Sequence, residues 1–454
     1  MMKRYLLWSW LVCLLGLLVP QTFAEEPAFK VGAAMADITP PLGFQLCGYY
    51  SERPASAVHD PLHAKVLAFR EGDKAAILIV CDLISIPQKL SDPVRDGIAA
   101  KIPVKREHIA MTGTHTHTGP EFNSKTADYE KTIIQAIIAA AVSAYESARE
   151  ATMESGCAEI TDLSFNRRFF MKEGPVQFNP GFNNPNMIRP AGGIDPQCLI
   201  VLFKDAQTGK PFASLSNFAL HLDTTGGTEY SADYPFYVSE VLKQKFGDDF
   251  ISVFGTGTCG DINHLDFAGK TPVKKAPEIG TILGERIAAR IDEGLEAETP
   301  SFDAVTQTIE IPRQQFTEEE IADAKANADI VLNPELAKER GRGFLDQARI
   351  GKILNIYQWP DQIVMDIEGF RLSDKLAIVT MPGEIFVDLG QAIKKGSPFA
   401  RTLVIELANQ GIVYVPTKKA FEEGSYETIN SRVAPGGGEM MVDHALEILG
   451  ELAK

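Results

Sequence analysis

At 454 residues the chain can bury one large core or two medium ones. Its composition is that of a soluble globular protein. A net charge of -16 argues against a nucleic-acid partner, which needs a basic face to meet phosphates. Lys3 and Arg4, the apolar run 5–19, Pro20 and Thr22-Phe23-Ala24 read as a cleavable export signal over residues 1–24. The run is too short for a comfortable membrane span. A secreted or periplasmic protein of one domain, residues 25–454, is expected. Five cysteines follow the signal, Cys47, Cys81, Cys157, Cys198 and Cys259, with no CxxC pair, so a cysteine zinc site is not expected. One disulfide is compatible with export. The odd count leaves at least one free thiol, and Cys81 and Cys259 sit in or beside apolar runs that bury thiols.

In chain order the pattern predicts a strand over 29–39 and a hairpin of 63–70 with 75–81. A helix over 127–150 carries an Ile133, Ile134, Ile137, Ile138 and Val142 stripe. Strands over 198–203 and 212–220 turn at Thr208-Gly209. A helix over 234–246 precedes a buried strand over 250–254. That strand runs into Gly255-Thr256-Gly257-Thr258-Cys259-Gly260, which lacks both the G-K-[ST] of a P-loop and the spacing of a dinucleotide fold. Glycines after a strand let the backbone pass close to a site instead. Helices are expected over 276–295, 318–328 and 334–357, the polar 318–349 stretch reading as an excursion from the main body. Then come a hairpin of 362–370 with 375–380, a helix after Glu384, a strand over 403–407 and a helix over 439–452. The fold class is α/β, with mixed β-sheets flanked by helices.

The chemistry concentrates where strands run out. Ile109-Ala110-Met111 leads into Thr114-His115-Thr116-His117-Thr118-Gly119-Pro120, and two histidines two apart in an extended segment share a face. His221 ends the strand Ser216 to Leu220. Glu384 stands in Met381-Pro382-Gly383-Glu384, Tyr414 closes Gly411-Ile412-Val413, and Tyr426 follows twelve residues later. Each has an ordinary explanation taken singly: a core histidine, an acid at a helix N-terminus, a core tyrosine. Together, two imidazoles, a carboxylate and a phenolic oxygen suit a catalytic zinc, which takes about three or four N/O ligands and keeps a position open.

The order of these motifs resembles the neutral/alkaline (non-lysosomal) ceramidase family. The resemblance rests on T-H-T-H-T-G-P, the later F-A-L-H, P-G-E, G-I-V-Y-V-P-T and the Tyr426-Glu427 pair. Val31 to Pro40, Cys47-Gly48-Tyr49 and Ala408-Asn409 add to it. It implies the family's catalytic domain without the C-terminal β-sandwich, since the chain stops after the 439–452 helix. It implies a zinc amidase that splits ceramide into sphingosine and fatty acid. His115, His221, Glu384 and Tyr414 fall on the metal ligands. His117 falls on the histidine that handles protons, Tyr426 on a tyrosine near the scissile carbonyl and Arg167 on the family's N-R motif. The family's G-D-V-S-P-N serine, proposed as a nucleophile, is Asn263 here, in Gly260-Asp261-Ile262-Asn263-His264, and an amide cannot attack a carbonyl. The implied mechanism is therefore attack by zinc-bound water, with a small-molecule or lipid substrate, peripheral contact with a lipid surface and no protein partner. The rival readings are a zinc esterase or lactonase on a non-lipid substrate, and a non-catalytic binding protein on the same scaffold.

Overall fold

The computed structural model describes residues 28–454 apart from residue 270, so the export signal expected over residues 1–24 lies outside the described residues. The chain builds four layers: helices, a nine-stranded sheet, a four-stranded sheet, and helices again. The large sheet runs Ile251–Thr256, Pro211–Phe218, Gln197–Asp205, Arg149–Glu159, Lys30–Asp37, His63–Glu71, Lys74–Cys81, Ile109–Gly113, with Glu296–Glu298 paired to Arg149–Glu159 beside this path. Both end pairs are parallel and the pairs between them antiparallel. The second sheet runs Pro300–Pro312, Gln362–Ser373, Leu376–Thr380, Arg401–Ile405.

Alternation within the strands decides which layer each side chain enters. In His63–Glu71 and Lys74–Cys81, Leu67, Phe69, Leu78 and Val80 face the second sheet, where they join Phe370, Ile378, Leu403 and Ile405. Val66, Ala68, Ile77 and Ile79 face the other way, onto Ile133, Ile137 and Ile138 of the helix Ala127–Glu146. Farther along the sheet, Cys198, Ile200 and Leu202 pack on the helices Tyr234–Phe246 and Ala276–Asp292. The outer face of the small sheet is covered by Val387–Gly396 and Gly437–Leu452. No helix of the described residues is long and apolar enough to cross a membrane.

The large sheet curls until both of its edge strands reach the segment that follows the small sheet's last strand, Arg401–Ile405. Thr112 bridges Ala408. Asn409 N–H donates to the Met111 carbonyl at 2.8 Å, and Glu406 N–H to that of Thr256 at 3.0 Å. Asn217 clamps the same seam, its Nδ2 donating to Gly255 and Val404 carbonyls. The ends of the strands that carry the histidines are thereby brought against the segment that leads to Tyr414.

Three expectations need correction. The helix predicted over 127–150 stops at Glu146, and Arg149–Glu159 is a strand at the middle of the large sheet. Its Arg-Glu-Ala-Thr-Met-Glu start favours helix by propensity, but strand partners on both sides override a weak local preference. The helix predicted over 334–357 is two, Pro334–Glu339 and Phe344–Ile356, broken where Gly341 adopts φ +70°. The sequence reading also missed Pro300–Pro312. The 318–349 excursion does form helices, with a small core of Ala324, Ile330, Ala337, Ile350 and Ile353. All five cysteines of the described residues are free thiols, so the disulfide that export would permit is not formed.

Candidate metal centre

His115 follows the strand Ile109–Gly113 in a left-handed conformation, φ +80°, unusual for a non-glycine residue and costly unless its surroundings enforce it. Its N–H bonds the Leu83 carbonyl at 2.9 Å. Its ring Nδ1 stands 2.7 Å from the Ile84 carbonyl, which can only accept, so the proton is on Nδ1 and Nε2 carries a bare lone pair. His117 is pinned through its own N–H to the Leu222 carbonyl, and His221 follows the end of the strand Pro211–Phe218.

The three Nε2 atoms converge. They lie 3.1 Å apart for His115 and His221, 3.1 Å for His117 and His221, and 3.4 Å for His115 and His117. Three nitrogens bound at 2.0–2.1 Å to one tetrahedral zinc would be separated by about 3.3 Å. The contacts cannot all be hydrogen bonds, because His115 has no proton to give at Nε2 and each neutral imidazole carries only one. Burial above all pushes the pKa values of His117 and His221 well below the usual range. Metal ligation needs the neutral imidazole this favours.

The oxygen side comes from the second half of the chain. Glu384 and Tyr414 are direct neighbours in a short parallel pairing, Glu384 with Tyr414 and Ile385 with Val415. Glu384 Oε2 is 3.5 Å from His115 Nε2 and has no hydrogen-bond partner among the described residues. Val413, a β-branched residue at φ +60°, accepts the Glu384 N–H on its carbonyl at 2.8 Å, and this bond ties the Glu384 and Tyr414 segments to each other at the cost of a strained backbone. Burial raises the Tyr414 hydroxyl well above its ordinary pKa, with Glu384 adding to the shift and Arg167 opposing it. An unpartnered carboxylate oxygen beside three converging imidazole nitrogens is a donor set that could hold a cation.

The remaining residues are close by. Tyr426 sits with its ring 5.7 Å from that of Tyr414, and Arg167 lies over the Tyr414 ring at 5.4 Å. Arg167 donates to Glu427 Oε1 at 2.9 Å and to the Gly260 carbonyl at 2.8 Å. Burial opposes its charge, but Tyr414, Glu427 and Glu384 outweigh that and hold its pKa above the usual value. Asn263 is fully committed: Nδ2 donates to Asn179 Oδ1 at 3.0 Å and Oδ1 accepts the Leu265 N–H. The glycine run behaves as expected, for a Cβ on Gly260 would stand 2.5 Å from the Glu384 carbonyl oxygen.

The structure places His115, His117, His221, Glu384, Tyr414, Tyr426 and Arg167 near one another, and beside His117 it adds Asp223, which the sequence analysis did not name. Tyr49 meets the His117 ring edge-on at 5.7 Å and donates to Asp223, whose carboxylate lies 3.9 Å from His117 Nδ1. Arg53 donates to the His117 carbonyl at 2.8 Å. Gly48 lies against the same ring, where a Cβ would come 2.3 Å from Nδ1, and its φ is +91°. The H-x-D at His221 and Asp223 was the available signal for the carboxylate. The wall beside Tyr426 is aromatic: Phe178 stacks on Tyr426 at 4.6 Å, Phe344 at 5.4 Å, and Tyr50 meets Phe344 edge-on. The excursion thus supplies Phe344 to the site.

Residues 29–331 match the family neutral/alkaline non-lysosomal ceramidase, N-terminal. Neutral ceramidase B of Dictyostelium discoideum is 24% identical over 264 residues, 52% of this chain and 36% of that protein. Neutral ceramidase of Pseudomonas aeruginosa is 23% identical over 276 residues, 56% of this chain and 39% of that protein. The matched stretch therefore spans well under half of these relatives. The crystal structure of the Pseudomonas aeruginosa neutral ceramidase superposes with a TM-score of 0.71 at 20% identity, over 94% of this chain and 75% of that one. A structure of a ceramidase complexed with C2 gives 0.69 at 18%, with the same coverage. At such identities the superposition shows a shared fold. Together with the family match over most of its length, it shows that the chain belongs to the neutral/alkaline non-lysosomal ceramidase family.

Proposed function

We propose that this protein is an exported zinc-dependent amidohydrolase that cleaves the N-acyl bond of a ceramide-like lipid. The observation that carries the reading is the convergence of three imidazole nitrogens beside an unpartnered Glu384 oxygen, in a chain of this family. His115, His221, Glu384 and Tyr414 would hold the ion. When bound, it supplies a Lewis acid and a water acidic enough to attack a carbonyl near neutral pH.

The chain's own residues supply the proton traffic. His117 is the least buried of the three histidines and is held neutral, so Nε2 can accept a proton from the attacking water. It returns that proton to the amide nitrogen as the C–N bond breaks, giving a free amine and a carboxylic acid. Asp223 and Gly48 hold the far side of its ring. Tyr426 keeps its hydroxyl proton, because burial raises its pKa, and donates to the oxygen that gains charge. Arg167 places positive charge behind it. Asn263 has no hydroxyl and both ends of its amide are bonded, so no acyl-enzyme forms there. The stacked Phe178, Tyr426 and Phe344 give an apolar flank for a lipid chain.

The near-equal spacing of the three nitrogens favours a second ligand set, His115, His117 and His221, with Glu384 left to take the proton. Substrate class is tested with N-acyl sphingosines of increasing acyl length beside simple N-acyl amines and esters, with zinc content measured on the same protein. Efficiency is expected to rise with chain length, since each buried methylene contributes about 0.8 kcal/mol. Turnover of small esters alone would make the protein a zinc esterase or lactonase. A loaded but inert protein would be a binding protein.

A further inference from the structure

Beside the histidine centre lies a cavity of about 1,020 Å³ that none of its three histidines lines. The two share walls: the Ile84–Ser85 turn, whose Ile84 carbonyl fixes His115, and Gly411–Ile412, which leads to Tyr414. Five charged side chains line the cavity, Asp92, Arg95, Arg106, Asp366 and Arg432. Four of them are paired. Arg95 pairs with Asp366 at 3.0 Å and with the buried Glu368 at 3.4 Å, and Arg106 with Asp92 at 2.5 Å and Asp96 at 2.6 Å, so neither guanidinium is left unpaired. Arg432 is left over. It donates Nη1 to the Gly411 carbonyl and lies 4.9 Å over the Trp359 ring, and it forms no ion pair among the described residues. Two more polar atoms are open: the Ser91 hydroxyl, on a residue only 1% exposed, and Gln410 Oε1, neither with a hydrogen-bond partner among the described residues. A buried hydroxyl without a partner is costly, and a ligand that bonds it removes the cost.

We infer that this cavity is a binding site for a monocarboxylate carrying an apolar chain. One negative charge is selected, because Arg432 is the one lining guanidinium without an ion pair among the described residues, and the carboxylates around Arg95 and Arg106 repel a second. This favours a carboxylate over a phosphate dianion. The Ser91 hydroxyl is a second donor. Trp359, Ile412 and Val364 give the chain an apolar bed. The inference stands on the cavity and not on the reaction; the acid released by amide hydrolysis belongs to this ligand class.

Trp359 is the only tryptophan among residues 28–454, so its fluorescence reports on the cavity directly. The probes are octanoate, octanol and octyl phosphate, titrated into the zinc-free protein, with Trp359→Phe giving the background. Octanoate should produce a saturable change in Trp359 emission. Binding should be weaker by about tenfold or more for octanol, and for octanoate in Arg432→Gln, as expected for loss of a charge-assisted hydrogen bond. Octyl phosphate should bind less tightly than octanoate. His115→Ala should respond like the unaltered protein, which separates this site from the hydrolase reading. The inference is overturned if octanoate and octanol behave alike, if octyl phosphate binds more tightly, if folded Arg432→Gln retains octanoate affinity, or if His115→Ala abolishes the response. The octanoate–octanol comparison holds even if Arg432→Gln does not fold.

Discussion

The nitrogen side and the oxygen side of the centre are built differently. His115, His117 and His221 project from the ends of strands in the nine-stranded sheet, inside residues 29–331 where the family match lies. Glu384, Tyr414 and Tyr426 come after that match ends and sit on two-residue strands and a single helical turn. The first side inherits its rigidity from a long hydrogen-bond ladder. The second depends on left-handed residues, Leu407, Asn409, Val413 and Ser425, that re-aim the chain from one short element to the next. A strand end needs only a register to place a histidine. An oxygen donor delivered by irregular backbone needs many specific contacts, which a sequence match detects poorly, whereas the shared fold extends over 94% of the chain.

The largest effect should come from the nitrogen side. His115→Ala and His221→Ala should leave the protein with substoichiometric zinc and lower turnover by ~10³-fold or more, as removal of Lewis-acid stabilisation implies. Elemental analysis and rates on the same preparation check this. Unchanged zinc in both variants would remove the centre from consideration.

A pair of variants then divides the two sides. His117→Ala should keep its zinc and lose about 10²–10⁴-fold in turnover, the usual worth of positioned proton transfer. Glu384→Gln should lose zinc. If His117→Ala loses the metal while Glu384→Gln keeps it and is inactive, the ligands are the three histidines and the carboxylate is the base.

Smaller effects come from the supports. Gly48→Ala should destabilise the fold by about 1–3 kcal/mol, because the new methyl meets the His117 ring and a left-handed backbone disfavours any Cβ. It should also slow turnover without releasing zinc. Thermal melting and metal content separate the two consequences. Asn263→Ala should cost about 1 kcal/mol through its lost hydrogen bonds and keep most of the activity. Asn263→Ser should show no acylated protein by mass spectrometry of a quenched reaction. An acyl adduct would overturn attack by water.

By itself the sequence determined the elements with a strong period and the residue types of the site. The hairpin His63–Glu71 with Lys74–Cys81 alternates cleanly, and the helix Ala127–Glu146 carries one isoleucine stripe, so both were legible. Arg149–Glu159 was not, because its identity as a strand comes from its neighbours in the sheet and not from its residues. The motifs around His115, His221, Glu384 and Tyr414 were readable as metal chemistry because each ends an apolar run with a donor atom. Only the tertiary structure decided that these ends meet. The curl of the large sheet onto residues 404–409 brings nitrogens more than 100 positions apart to 3.1 Å. It also placed His117 as near to His221 as His115 is, and left Arg432 alone in a cavity where every other charge is matched. Those facts are sums over contacts between distant segments, and no local pattern in the chain encodes them.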